Sequence, residues 1–475
     1  MAIVNGTANN DFISVAFISP GVSNFPTQSA DTIRSFGGND TISSAGGPDT
    51  VFGGPGADTI NGNGGNDTLN GNGGNDTIDG GANNDTINGG GGNDVLFGGF
   101  GRDILRGNAG VDQLNGGGGN DNILSDGDGG TYNGDAGNDY MRSGLGPETM
   151  NGGPGVDTID HRVFNGNYEF NMATGLTNFG GESFINFEVA RMGGGNDTVT
   201  GNNAANTIFG GAGNDTLEGG GGVDRLFGGA GNDTITSDGD GGIYNGDVGN
   251  DSMTSGLGPE TMNGGTGVDT INHTAFNGNY VFNMTTGLTN FAGERYTNFE
   301  NAFMGNGNDN VTGNNAANTI KGGGGADTLN GANGNDTILG QNGNDIIFGG
   351  AGQDTLIGGN GRDVMSGGGG NDIFDFNVLS ESAVGANRDV INGFIPGIDN
   401  IDLSSIDAVN GGADNAFIFR GTNNFTGGGE VRYFQDAGNN RTIVQAEFEG
   451  DGNLVVDMEI QLNGLHVLAA ADFVL

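Results

Sequence analysis

The chain has 475 residues, 105 of them glycine, with eight prolines and neither cysteine nor tryptophan. Asp and Glu total 58 against 14 Lys and Arg, a formal net charge of −44, and only 33% of residues are hydrophobic. These numbers exclude a disulfide scaffold, argue against nucleic acid as a partner and leave too little apolar matter for a conventional core of this size. A chain this anionic belongs with disordered sequences unless a cation neutralises it. No window approaches 18 consecutive apolar residues, so no transmembrane helix is expected. Met1 to Ser14 lack the basic start and apolar run of a signal peptide.

Residues 1–36 read as a lead-in or cap, which already contains the repeat-like Gly6-Thr7-Ala8-Asn9-Asn10-Asp11-Phe12-Ile13. From 37 to 124 an aspartate returns every nine residues without a slip: Asp40, Asp49, Asp58, Asp67, Asp76, Asp85, Asp94, Asp103, Asp112 and Asp121. Most follow a glycine-rich hexapeptide such as Gly53-Gly54-Pro55-Gly56-Ala57-Asp58, and each precedes a strand-like triplet such as Thr59-Ile60-Asn61. Two nonapeptides make one coil with strands on opposite faces, and Ile60, Leu69, Ile78 and Ile87 point inward as a thin apolar core. Thr41, Thr59 and Thr77 fall two nonapeptides apart, as do Thr50, Thr68 and Thr86, so each set predicts an outward ladder, with Asn61, Asn70 and Asn88 beside them. The ladders first lose Thr at Val95 and Ile104.

The middle of the chain is a tandem duplication. Ser125-Asp126-Gly127-Asp128-Gly129-Gly130 returns as Ser237-Asp238-Gly239-Asp240-Gly241-Gly242, and Gly144-Leu145-Gly146-Pro147-Glu148-Thr149 as Gly256-Leu257-Gly258-Pro259-Glu260-Thr261. Both pairs share one offset, which maps 101–212 onto 213–324 without a gap. The duplicated units are read as 125–236 and 237–324. They carry the in-phase Asp139, Asp157, Asp197, Asp215, Asp224, Asp233, Asp251, Asp269 and Asp309. Each unit breaks the nonapeptide phase once, between Asp157 and Asp197 in the first and between Asp269 and Asp309 in the second. These intervals hold Phe164, Tyr168, Phe170, Phe179 and Phe187, matched by Phe276, Tyr280, Phe282, Phe291 and Phe299. They read as continued coils with longer turns and a larger apolar core; Tyr168-Glu169-Phe170-Asn171 alternates as a strand does. A last regular run, 325–372, carries Asp327, Asp336, Asp345, Asp354, Asp363 and Asp372. Beyond it, 373–475 reads as a terminal β cap, with strands at Ile373-Phe374-Asp375-Phe376, Phe417-Ile418-Phe419 and Val456 to Leu462.

The chemistry of the repeat points to a hard cation. Glycine tolerates positive φ, so the turn can aim main-chain carbonyls inward. The aspartate adds a carboxylate, and stacked turns give the all-oxygen cage that suits Ca²⁺. Without thiolates, and without histidines along the runs, zinc and copper are disfavoured. All the in-phase aspartates named above are therefore candidate calcium ligands, and calcium binding and folding should be one event. The pattern departs at Gly130 and Gly242, which sit where Asp is due with Asp126, Asp128, Asp238 and Asp240 nearby. Asn206 and Asn318 also replace Asp, and Glu148 and Glu260 are one methylene longer; ion sites there are in question.

The consensus G-G-x-G-x-D-x-U-x resembles the RTX, or haemolysin-type calcium-binding, repeat family over about residues 37–372. The end of the chain is similar to the C-terminal domain of serralysin-type proteases. Gly369-Gly370-Asn371-Asp372-Ile373-Phe374-Asp375-Phe376, Asp389-Val390-Ile391, Gly397 to Ser404 and the closing Ala471-Asp472-Phe473-Val474-Leu475 carry that resemblance. It implies an all-β, right-handed parallel β-roll binding multiple Ca²⁺ ions. It also implies type I export through an ABC transporter from a Gram-negative cell to the exterior or cell surface.

No catalytic constellation is evident. The histidines are His161, His273 and His466, with no H-E-x-x-H, no G-x-S-x-G and no thiol. His161 and His273 read as hydrogen-bonded surface residues at strand ends. The single lysine, Lys321, and the exchange of Arg162 for Thr274 weigh against a polysaccharide lyase. The expectation is a structural surface layer, filament or adhesion component, associating with itself or with cell-surface polysaccharide. A calcium-dependent glycan- or ice-binding protein working through the Thr and Asn ladders or the aromatic-rich intervals is the alternative, and a secreted hydrolase or lyase comes third.

Overall fold

A computed structural model describes residues 2–14, 18–20, 22–256, 258–406, 408, 416–448 and 455–475. Met1 of the lead-in, Leu257 of the second Gly-Leu-Gly-Pro-Glu-Thr copy, and 407, 409–415 and 449–454 of the predicted cap lie outside the described residues. The chain divides into two compact units, Met1–Ile235 and Thr236–Leu475. Each is a parallel β-roll, and the described residues contain strands and only three short 3₁₀ turns.

In the first unit the Thr-Ile-x and Thr-Leu-x triplets form strands because β-branched and aliphatic side chains suit a pleated, half-buried surface. Each pairs in parallel with the strand one coil further on. On one face Ile60 lies beside Ile78, Ile78 beside Leu96 and Leu96 beside Leu114. On the other, Val51, Leu69, Ile87, Leu105 and Ile123 follow one another in the same register. These inward side chains are at most 1% exposed. One such side chain, worth about 1.5–3 kcal/mol when buried, is all the aliphatic burial available to each nonapeptide.

Many strands outgrow the predicted triplet. Thr77–Ala82 and Val95–Phe100 each run six residues, with Gly81 paired to Gly99. The turn glycines join the ladder because, without side chains, their backbones approach the neighbouring coil directly. Gly81 has φ +100°, and a Cβ there would collide with the carbonyl of Asn63 in the preceding coil.

The aromatic-rich interval continues the coil. Thr149–Asn151 pairs with Ser183–Ile185, Thr158–Asp160 with Val189–Arg191, and Glu169–Asn171 with Thr198–Thr200, all in parallel. The extra residues form an excursion in which Leu176–Thr177 folds back antiparallel on Glu169–Asn171.

The second unit repeats this plan. Ile320, Ile338, Leu356, Phe374 and Ile401 stack in register on one face. Val311, Leu329, Ile347, Met365 and Ile391 stack on the other. The stack ends where Asp389–Asn392 pairs with Met458–Asn463. That strand runs antiparallel to Arg441–Glu447, which is antiparallel to Glu430–Asp436. Phe473–Val474 closes the other face beside Asn400–Asp402.

Candidate metal centre

The aspartates singled out by their spacing are all buried, none more than 3% exposed. Each stands just before a strand or, at Asp112 and Asp224, as its first residue, and its two carboxylate oxygens have different tasks. Asp85 shows the arrangement: its Oδ1 accepts the backbone N–H of Asp67, one coil earlier, at 2.7 Å. The N–H of Asp85 in turn donates to Oδ1 of Asp103 at 2.7 Å. Such rungs run from Asp11 through Asp40, Asp58, Asp76 and Asp94 to Asp112. A second row runs from Asp31 through Asp49, Asp67, Asp85, Asp103, Asp121 and Asp139 to Asp157. In a third, Tyr168 donates to Asp197, which leads to Asp215 and Asp233; Asn206 donates to Asp224. In the second unit Asp251 leads to Asp269. Asp309, Asp327, Asp345 and Asp363 lead to Asp389, and Asp336, Asp354 and Asp372 to Asp399.

The second oxygen, Oδ2, is the unusual one. At Asp58, Asp67, Asp76, Asp85, Asp94, Asp103, Asp112, Asp121, Asp139 and Asp157 it is buried without a hydrogen-bond partner; Asp327, Asp336, Asp345, Asp354, Asp363 and Asp372 repeat this. A buried polar atom left unmet costs about 1–3 kcal/mol, and more when charged. Repeated at rung after rung, it marks a missing partner common to all of these. The space beside it is shaped by glycine: a Cβ on Gly80 would sit 2.5 Å from Oδ2 of Asp85 and 2.6 Å from the carbonyl oxygen of Gly98. A Cβ on Gly358 would sit 2.5 Å from Oδ2 of Asp363. Carboxylate and main-chain oxygens thus converge on a cradle that any side chain would fill, a donor set that fits Ca²⁺. Among the described residues no three His, Cys, Asp or Glu side chains gather at metal-ligand spacing. An ion here would therefore draw chiefly on the main chain.

Burial without a counter-charge pushes these carboxyls up. Asp58 rises to about 6, and Asp76, Asp85 and Asp345 to about 7, with repulsion from neighbouring rungs adding to desolvation. Asp389 reaches about 8 for the same reasons.

Where the sequence departs from Asp, the unmet oxygen disappears. Glu148 accepts hydrogen bonds from Ser143 Oγ at 2.9 Å, from the N–H of Gly144 at 3.1 Å and from Ser125. Glu260 is held likewise by Ser255 at 3.0 Å and by Ser237. Oδ1 of Asn206 takes the N–H of Asn202 at 2.8 Å, and that of Asn318 the N–H of Asn314 at 2.9 Å. At Gly130 the vacant side-chain position is taken by Tyr132, whose hydroxyl donates to the Gly129 carbonyl at 2.9 Å. Asp126 and Asp128 lie off the rung, on the turn before Gly130. Two row ends are closed too: Oδ2 of Asp11 accepts the N–H of Thr7, and Oδ2 of Asp399 the N–H of Ile395, whereas Oδ2 of Asp389, at the end of another row, is buried without a partner.

Further rungs, not among the aspartates singled out above, are Asp11, Asp31, Asp389, Asp399, Glu188 and Glu300; Asp31 stands nine residues before Asp40 and so continues the same phase. Glu188 Oε2 accepts the N–H of Asp157 at 2.9 Å, and Glu300 does the same for Asp269. Glu188 and Glu300 stand nine residues before Asp197 and Asp309, ahead of Val189-Ala190-Arg191 and Asn301-Ala302-Phe303, so they are in phase with the run that follows the excursion and out of phase only with the run before it.

The histidine reading is corrected. His161 and His273 are not surface residues but 3% and 4% exposed, with Nε2 unpartnered. His161 packs 4.6 Å from Tyr168 and 5.0 Å from Phe184, and His273 4.4 Å from Tyr280. Burial pushes their pKa down, to about 3 and about 4.

Comparison with known families fits this geometry. The RTX calcium-binding nonapeptide repeat matches at 27–51, 52–87, 88–123, 125–159, 193–226, 200–235 and 218–253, and the peptidase M10 serralysin C-terminal region at 261–475. This is an RTX repeat chain with a serralysin-type C-terminal region. The matched parts are the repeat and the C-terminal region, not a catalytic peptidase domain. Among curated proteins none matches. Similar solved structures are the AlgE6R3 and AlgE6R2 subunits of the Azotobacter vinelandii mannuronan C5-epimerase, at 27% and 23% identity. They cover 35% and 34% of this chain and 77% and 89% of theirs, each with a TM-score of 0.19. No helix among the described residues is long and apolar enough to cross a membrane.

Proposed function

We propose that this RTX chain is exported unfolded and folds on Ca²⁺ outside the cell, where the β-roll itself is the product, a structural component of a surface layer, filament or adhesion matrix. The observation that carries the calcium step is the row of buried, unpartnered Oδ2 atoms, each opposite a glycine cradle. The ions would sit at the regular rungs, several per chain, and would be absent at Glu148, Glu260, Asn206 and Asn318, where main-chain N–H groups or serine hydroxyls already satisfy the side chain. In a calcium-poor cytosol the charge of −44 keeps the chain extended and threadable; millimolar calcium outside removes the repulsion. The serralysin-type C-terminal region supports export by a type I system. The structural role, and the absence of an enzymatic one, rest on repetition, duplication and the lack of any catalytic constellation in the sequence.

Exposed threonines in register, Thr41 beside Thr59 and Thr59 beside Thr77, favour a second reading, a flat hydroxyl surface for glycan or ice. Negative-stain microscopy of the purified chain across a calcium titration, with a chelated control, separates the two. Ordered sheets or filaments appearing with calcium support the structural role. Calcium-folded particles that never associate overturn it and direct attention to the threonine face.

A further inference from the structure

The aromatic-rich intervals join the carboxylate rows through the backbone N–H groups of Tyr168 and Tyr280 and through Glu188 and Glu300, and each interval also builds a pocket. In the first unit a cavity of about 90 Å³ is lined by Gly144, Leu145, His161, Phe164, Tyr168, Phe179 and Glu182. In the second, one of about 160 Å³ is lined by Gly256, His273, Phe276, Tyr280, Phe291 and Glu294. The five side chains His, Phe, Tyr, Phe and Glu are the same in both copies, whereas nearby Glu169, Phe184 and Val189 are exchanged for Val281, Tyr296 and Asn301.

We propose that these twin pockets bind an organic ammonium group, such as a quaternary or primary amine head. Three rings set at angles to one another form the wall. Phe164 meets Phe179 edge-on at 5.1 Å, and Tyr168 stacks on Phe179 at 5.4 Å; the second copy repeats this with Phe276, Phe291 and Tyr280, both contacts at 5.5 Å. Phe179 and Phe291 stay 39% exposed at the lip, where a purely structural cluster would bury them. The carboxylate is fixed in place: Glu182 Oε2 accepts from Tyr168 at 2.5 Å and from Thr177 at 2.8 Å, and Glu294 Oε2 from Tyr280 and Thr289 at the same distances. Neither carboxylate has a basic partner among the described residues. Arg162, next to the pocket's His161, is committed to Asp160 at 2.6 Å, and Thr274 replaces it in the second copy. Arg295 adjoins the buried Glu294 in sequence but alternates outward and is exposed.

Each polar or polarisable element of the lining is thus electron-rich: aromatic faces, an anchored carboxylate and an imidazole with an unpartnered nitrogen. That combination attracts an alkylated cation through cation–π contact and charge. It repels anionic sugars. It also gives a small hydrated metal ion too few oxygens to replace its water.

Isothermal titration of the calcium-loaded full-length chain with choline tests this. Sodium chloride and the neutral isostere 3,3-dimethylbutan-1-ol serve as controls, and circular dichroism first confirms the calcium-dependent fold, so that a folding failure is seen separately. Two sites per chain are expected, with choline at least ten-fold tighter than the neutral alcohol. Phe179→Ala with Phe291→Ala, and separately Glu182→Gln with Glu294→Gln, should each weaken choline by roughly five- to thirty-fold without changing the circular dichroism. Glu182→Gln alone should leave one strong site. No choline binding at millimolar concentration, equal binding of the neutral alcohol, or affinity unmoved by the variants would each overturn the proposal.

Discussion

The regular coils of 50–121 and the aromatic-rich interval of 157–200 share one parallel stack yet are stabilised by opposite means. A regular coil buries two aliphatic side chains and two carboxylates with unmet oxygens, as at Ile78, Ile87, Asp85 and Asp94. The interval buries Tyr168, Phe170, Phe184 and Phe187 and pairs its acids: Tyr168 with Glu182, and Arg162 and Tyr140 with Asp160. On the proposed reading the first design needs an ion to fold, whereas the second has its own packing to rely on. The duplicated interval at 269–312 repeats the contrast in the second unit.

The largest expected effect comes from removing the ion. Chelation should release the regular coils to fast amide exchange across 50–121 and 327–372, while 168–192 and 280–304 retain more protection at intermediate calcium. Hydrogen exchange with mass spectrometry reads this directly. Uniform loss along the chain would erase the distinction between the two designs.

Phe170→Ala should destabilise by about 3–5 kcal/mol through a cavity, with a similar penalty at low and saturating calcium. Asp85→Asn should reverse sign instead. In calcium it should destabilise by about 1–3 kcal/mol by removing a ligand. In chelator it should be neutral or stabilising, because an unpaired buried charge is gone. Denaturant melts at two calcium levels distinguish them.

The pH dependence follows from the raised carboxyls. Asp85 and Asp345 ionise at about 7 in the ion-free fold, against about 3.9 in an unfolded chain. A raised folded value favours the fold when protonated. Ion-free stability should therefore rise as pH falls from about 7 toward about 4 and stay level below that. With calcium the slope inverts over the same window, because protonation removes ligands.

Much of this was legible in the sequence, because a nine-residue period fixes both the phase of the inward side chains and the place of each aspartate. Register was legible for the same reason: Thr59 beside Thr77 needs only a coil of two nonapeptides. Glu188 and Glu300 are out of step with the run before the excursion, 31 residues after Asp157 and Asp269, and show themselves only when the period is counted back nine residues from Asp197 and Asp309. Asp389 and Asp399 follow the 3₁₀ turns at Leu379–Glu381 and Gly385–Asn387 or the bend before Asp399, which stretch their spacing to 26 and 27 residues. The burial of His161 could not be read from its neighbours in sequence, because Phe184 reaches it from the far side of the excursion. The split between open and closed rungs depends on serine hydroxyls such as Ser125, 23 residues from Glu148.

That split is the central claim, and crystals grown in calcium, with anomalous differences collected at long wavelength, test it most directly. The account predicts peaks beside Oδ2 of Asp58, Asp67, Asp76, Asp85, Asp94 and Asp103, and none beside Glu148, Glu260, Asn206 or Asn318. Empty cradles at the aspartates, or equal peaks at the closed rungs, would contradict it.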